Sequence, residues 1–119
     1  MLDEVLEGLV EVVGGTRVAL VVGTDGVIVA SAGESAGPGW DLVAACWADL
    51  ERRARLANTE TGLGEPAELV MTSSEATVAM RLVTREYALL LVLGAGGSLG
   101  RARYELRKAA AKVRPELEA

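Results

Sequence analysis

The 119-residue sequence predicts an α/β domain of the α+β kind, with its elements in the order αββαβββα. Two continuous valine- and leucine-rich runs, residues 17–23 and 87–93, read as strands covered on both faces. Tight turns at Thr24-Asp25-Gly26, Ser73-Ser74-Glu75 and Thr84-Arg85-Glu86 make the strands they join antiparallel. Segments at each end and in the middle repeat apolar residues at helical spacing.

Residues 2–13 place Leu2, Val5, Leu6, Leu9, Val12 and Val13 at helical spacing. Asp3, Glu4, Glu7 and Glu11 fill the other face, the early acids suiting the positive helix start, and Gly14-Gly15 stops the helix. The strand Arg17–Gly23 turns at Asp25-Gly26 into Val27–Ala30. Ser31 to Gly39, with Gly33, Gly37, Pro38 and Gly39, reads as a loop of small residues. The long helix, residues 40–61, carries two apolar sectors. One is Val43, Cys46, Trp47, Leu50, Ala54 and Ala57, where Cys46 reads as a buried small hydrophobe. The other is Leu42, Ala45 and Leu56, beside Asp49, Arg52 and Arg53. Two sectors suit a helix that touches two different surfaces. Gly62 and Gly64 end it.

Strands at 67–72, 76–83 and 87–93 follow, then a helix over 98–113 capped by Ser98 and ended by Pro115. The two all-apolar strands, first and fifth, belong in the centre with helices on both faces. The third strand keeps one side without a neighbour in the chain, exposing Leu69, Val70 and Met71 as an edge that needs pairing or protection. No repeat or internal boundary interrupts residues 1–119, so one domain is expected.

The composition removes most familiar chemistries. There is no histidine, which excludes Ser-His-Asp triads, Cys-His dyads and His-ligated zinc. The single cysteine excludes an internal disulfide and a thiol-rich metal site. Twelve basic against seventeen acidic residues, a net charge of −5, argue against nucleic acid as the main partner. The longest nearly apolar stretch, Tyr87 to Gly97, is too short to cross a bilayer. The acidic start Met1-Leu2-Asp3-Glu4 is unlike a signal peptide, so a cytoplasmic location without membrane insertion is expected.

The glycine cluster Gly94-Ala95-Gly96-Gly97-Ser98-Leu99-Gly100 invites a dinucleotide-binding reading, but Leu99 stands where the fingerprint needs glycine. No Lys-Ser/Thr pair follows for a P-loop, and a flexible turn into a capped helix explains the cluster. The last helix carries Arg101, Arg103, Arg107, Lys108 and Lys112, with Arg114 just after. If it shares a sheet face with the acidic first helix, the two are electrostatic neighbours. The competing reading is a docking patch for an acidic partner or membrane surface. Arg52, Arg53 and Arg55 form a helix-surface cluster better suited to solvent or an interface than to phosphoryl chemistry. No catalytic residue, metal site or cofactor is expected.

Taken together, the pieces resemble the Roadblock / dynein light chain family, in particular its bacterial MglB-like branch. The matching pieces run almost end to end. They are the short leading helix, Ala19-Leu20-Val21-Val22 with Thr24-Asp25-Gly26 and Val27–Ser31, the helix led by Asp41-Leu42-Val43-Ala44-Ala45, and the last three strands. The most telling is Ser98-Leu99-Gly100-Arg101-Ala102-Arg103-Tyr104-Glu105-Leu106, of the form small-Leu-Gly-x-x-Arg-x-x-Leu.

The resemblance implies a five-stranded antiparallel sheet between the long helix on one face and the terminal helices on the other. It implies a homodimer in which third strands pair across a two-fold axis and long helices pack together, placing Leu42, Ala45, Leu56, Leu69, Val70 and Met71 at the interface. It implies regulation or scaffolding of a small Ras-like GTPase, by MglB-like activation or as an adaptor. Activation in that branch proceeds without an inserted arginine, and the GTPase would meet the long helix at Asp49, Glu51, Arg52, Arg53 and Arg55. Only Pro115 to Ala119 follow the last helix, which favours an adaptor or simpler binder over full activation. The competing functions are a small-ligand-sensing α/β domain, a general protein-interaction scaffold, and an enzyme working without histidine.

Overall fold

The computed structural model describes residues 1–34 and 38–118. The elements are α1 (Leu2–Val12), β1 (Thr16–Gly23), β2 (Ile28–Gly33), α2 (Pro38–Thr61), β3 (Glu68–Thr72), β4 (Thr77–Leu82), β5 (Tyr87–Leu93) and α3 (Leu99–Glu118). The strands form one antiparallel sheet in the order β2-β1-β5-β4-β3. The expected architecture, order and central pair are therefore present.

The two apolar strands run side by side, with Ala19 opposite Leu91 and Val21 opposite Leu89. Successive side chains point to opposite faces. Ala19, Val21, Leu89, Leu91 and Leu93 pack with Leu6, Leu9 and Val13 and with Ala102, Leu106, Ala109 and Val113 of α3. Val18, Leu20, Val22, Leu90 and Val92 pack with Ala44 and Trp47 of α2. The sheet thus separates two cores, with α1 and α3 over one face and α2 over the other. Val12 departs from its expected place: it is exposed, while Val10 packs on the core.

The β1–β2 turn behaves as its sequence demands. Gly26 takes φ +88, its N–H donates to the Gly23 carbonyl at 2.8 Å, and the Val27 N–H donates to Asp25 Oδ1 at 3.1 Å. β2 continues further than expected, to Gly33, because its pairing runs on to Val18 opposite Gly33. The register slips near Val21 and Val22, leaving Val29 as one extra residue in β2. At the other end of the expected loop, Pro38 and Gly39 already belong to α2; residues 35–37, with Gly37, lie outside the described residues. Arg17 fastens both flanks of that segment. Its carbonyl accepts from the Glu34 N–H at 2.8 Å, its Nε donates to Glu34 Oε2 at 2.9 Å, and its guanidinium lies 5.2 Å from the Trp40 ring centroid.

Pro115 does not end α3, which runs through it to Glu118. A proline costs most in a helix interior, and here only the last turn is affected. Leu117, packed against the α1/α3 core, holds that turn in place. At the start of α3, Ser98 is the cap expected: its Oγ accepts from the Arg101 N–H at 3.3 Å.

The glycine cluster before α3 has a packing role. Gly15 ends the α1–β1 turn at φ +85, and a Cβ built on it would lie 2.9 Å from Gly97 Cα. Its carbonyl accepts from the Gly94 N–H at 2.8 Å. Two turns therefore meet backbone to backbone, which only glycine permits. Gly15→Ala should destabilise the fold by about 1–3 kcal/mol, since it combines a left-handed backbone with a main-chain clash. Gly14→Ala, next door with nothing within 4 Å, should stay within about 0.5 kcal/mol of the parent. Equal denaturation midpoints for the two variants would contradict this packing.

Candidate partner-binding surface

α2 presents its sheet-facing line through Ala44, Trp47, Ala48 and Glu51, all buried. The expected line through Cys46, Leu50 and Ala57 is displaced. Cys46 is exposed, not buried, and Leu50 and Ala57 are exposed as well. Alanines at 44 and 48 let the helix lie close to the strands, and their small side chains carry little hydrophobic signal. The larger residues that defined the expected stripe turn partly outward.

The outward face is consequently apolar over much of its length. Leu42 is 66% exposed and Leu56 59%, and Cys46, Leu50 and Ala57 add to them. Ala45 is exposed on the flank beside the β1–β2 turn, where Gly26 comes so close that a Cβ there would lie 3.2 Å from Ala45 Cα. Gly62 at φ +71 ends the helix, with the Leu63 N–H donating back to the Asn58 carbonyl at 3.0 Å.

Charges interrupt this face at its middle. Asp49 accepts from Arg52 Nη2 at 2.6 Å and from Arg53 Nε at 3.0 Å, so one carboxylate orients two exposed guanidiniums. Glu51 is not on the surface expected for it: it is 1% exposed and accepts from Arg55 Nε at 2.9 Å. Its place in the helix turns it toward the sheet, one turn after Trp47 and Ala48. Arg55 is half-buried and also reaches Glu65, which Arg85 holds at 2.6 Å. Of the five charged residues expected to face a partner, Asp49, Arg52 and Arg53 lie together outside, Arg55 lies at the margin and Glu51 lies beneath.

β3 pairs only with β4 and leaves its other side open. Leu69 is half-buried against the α2-side core, while Val70 and Met71 are 40% and 47% exposed. Arg103, the arginine of the small-Leu-Gly-x-x-Arg-x-x-Leu segment, donates to Glu68 Oε2 through Nε at 3.0 Å and Nη2 at 2.8 Å. That pair, invisible to local sequence patterns, ties α3 to the edge strand across 35 residues.

The acidic α1 and the basic α3 share a sheet face and a groove, which makes them electrostatic neighbours. No ion pair joins their side chains among the described residues. Arg101 and Lys108 pair with Glu105 of their own helix. Between α1 and α3 runs a groove of about 840 Å³, walled by Val5, Leu9, Val12 and Ala109 with Glu4 and Lys112 on its margins. Among the described residues, no group of histidine, cysteine or acidic side chains is placed to hold a metal, and no helix is long and apolar enough to cross a membrane.

No family model and no curated protein matches the chain. Solved structures do. A Roadblock/LC7 domain from Streptomyces avermitilis aligns with a TM-score of 0.90 at 23% identity, over 98% of each chain. MglB from Myxococcus xanthus aligns at 0.88 and 19% identity, over 98% of this chain and 94% of that one. MglC from Myxococcus xanthus is 31% identical over 98% of this chain and 99% of that one, with a TM-score of 0.71.

Hydrogen bonds from Arg53 and then Arg52 hold the Asp49 carboxyl below the usual carboxylate range. Its clamp is therefore present above the ordinary carboxylate pKa and lost as pH falls through the lowered value. A carboxyl-carbon NMR titration should place the Asp49 midpoint below that of an unpaired aspartate. Arg53→Ala should move it up, and more so than Arg52→Ala. An ordinary midpoint in the parent chain would show that the clamp does not form in solution.

Proposed function

We propose that this chain, which belongs to the Roadblock/LC7 family, is a non-catalytic homodimeric regulator or adaptor of a small Ras-like GTPase. The observation that carries the reading is the outer face of α2, which exposes Leu42, Cys46, Leu50 and Leu56 around a fixed Asp49–Arg52–Arg53 group. A contiguous apolar face of this kind marks an interaction surface. The open β3 edge, with Val70 and Met71 exposed, supports a second copy as the first partner, since strand pairing would complete its hydrogen bonds. The similarity to MglB and MglC supports the GTPase side of the reading.

In this reading Leu42, Ala45, Leu56, Leu69, Val70 and Met71 form the contact between copies, and Cys46 and Leu50 join them. Light scattering should then give about twice the 12.4 kDa chain mass. Val70→Asp should shift the population toward monomer, because pairing would desolvate an unpaired charge. Cys46 supplies an independent readout. Its thiol should react slowly with a soluble disulfide reagent in the parent and faster in the Val70→Asp variant. A monomeric parent with a freely reactive Cys46 would refute the dimer.

Asp49, Arg52 and Arg53 meet the GTPase in this reading, with Arg55 at the margin and Glu51 as a buried support. Pinned charges on a rigid helix confer register and salt-dependent specificity more than raw affinity. They belong to a helix and not to a mobile loop, so activation would work by repositioning the GTPase's own residues. Titration against GDP- and GTP-analogue-loaded candidate GTPases tests the partnership. Arg52→Ala and Arg53→Ala should weaken binding modestly and alter its salt dependence, without abolishing hydrolysis at saturation. A loss of about 10³-fold with binding intact would be the signature of an inserted arginine and would refute this mechanism.

A further inference from the structure

Ion pairing of the arginines is uneven. Seven of the ten are paired within the chain: Arg17, Arg52, Arg53, Arg55, Arg85, Arg101 and Arg103. Arg81, Arg107 and Arg114 are in no ion pair among the described residues. Two of these three line the same pocket, of about 320 Å³, at the end of the sheet where the β4–β5 turn lies.

That pocket draws on five separate parts of the chain. Arg55 comes from α2, Glu65 from the α2–β3 connection, Arg81 from β4, Thr84 and Arg85 from the β4–β5 turn, and Arg114 from α3. Glu65 Oε1 lies 2.6 Å from Arg85 Nη2 and 3.8 Å from Arg55 Nη1, so one carboxylate is shared by two guanidiniums. The Nε of Arg55 is committed to the buried Glu51 at 2.9 Å, which fixes the direction of its fork. The lining carries four cations against one anion, in a chain whose overall charge is −5.

We propose that this pocket binds a small, soluble, phosphate-bearing anion. Planar guanidinium forks match phosphoryl oxygens two at a time, and several converging forks favour a dianion over a single carboxylate. No aromatic side chain lines the pocket, so nothing there selects a nucleobase by stacking. The acidic net charge opposes an anionic membrane surface and favours a soluble ligand over a lipid headgroup. Glu65 occupies part of the Arg55 and Arg85 forks and so competes with the ligand for them, while Arg81 and Arg114 supply the uncompensated charge. Of the residues that meet the GTPase in the proposed function, only the marginal Arg55 lines this pocket, and the proposal does not rest on that reading.

Pyrophosphate is the probe, titrated at low salt by calorimetry and by amide NMR of the parent chain. Saturable binding with shifts at Thr84 and Arg85 is expected. Arg81→Gln with Arg114→Gln should weaken it about tenfold or more. Glu65→Gln, which removes the competing carboxylate, should tighten it by about threefold. Arg107→Gln, outside the pocket, should leave it unchanged, and thermal melts confirm that each variant is folded. The single Arg114→Gln, at an exposed position, serves if the double variant fails to fold. Absence of saturable binding overturns the proposal, as does an equal loss with Arg107→Gln. Binding confined to vesicles of phosphatidylcholine with phosphatidylinositol phosphate, with none to pyrophosphate, overturns the assignment to a soluble ligand.

Discussion

Everything in this fold follows from two adjacent strands that are apolar on both faces. β1 and β5 leave neither side to water, so the sheet needs a cover on each. The chain supplies two amphipathic helices, α1 and α3, for one side and a single long one, α2, for the other. Placing β1 and β5 together at the centre sends β2 and β3 to the rims. Which strands end with an open edge is therefore decided by the burial of their neighbours. Each large side chain buried in the centre stabilises the fold by about 1.5–3 kcal/mol.

Burial on both faces also makes part of the fold legible in the sequence. β5 was readable to the residue because seven consecutive apolar positions between a turn and a glycine leave little choice. α3 was readable except at its end, where packing of Leu117 overrides the local effect of Pro115. α2 was readable as a helix but not in its rotation. Its closest approach to the sheet uses Ala44 and Ala48, residues that a stripe of large hydrophobes overlooks. The charged Glu51 sits on that same line, and only its i,i+4 partner Arg55 makes the position tenable. Spacing alone therefore put Cys46 inside and Glu51 outside, the reverse of their places.

Charges in this molecule are mostly answered locally. Asp49 holds two arginines, Glu105 holds Arg101 and Lys108, and Glu34 holds Arg17. Such exposed pairs contribute little to stability, about 0–1 kcal/mol each, but they restrict where guanidinium groups point. On α2 that restriction gives a flexible side chain a defined direction on a rigid support. Glu68–Arg103 differs in kind, because it links the last helix to the open strand and so couples the helix layer of α1 and α3 to the sheet at its rim. None of these pairs between elements has a short-range sequence signature, which is why the pattern of the surface emerged only with the fold.

Arg17 gives the connection between β2 and α2 an unusual independence from its own contents. Its main-chain and side-chain bonds anchor Glu34, and its stacking on Trp40 anchors the beginning of α2. Both ends of the intervening segment are thus held by one residue of a central strand. Closing a longer segment between fixed ends costs only about 0.6 kcal/mol for each doubling of its length. This makes the connection a natural seam for lengthening the chain, where a reporter or recognition sequence can be inserted while the sheet and α2 keep their mutual geometry.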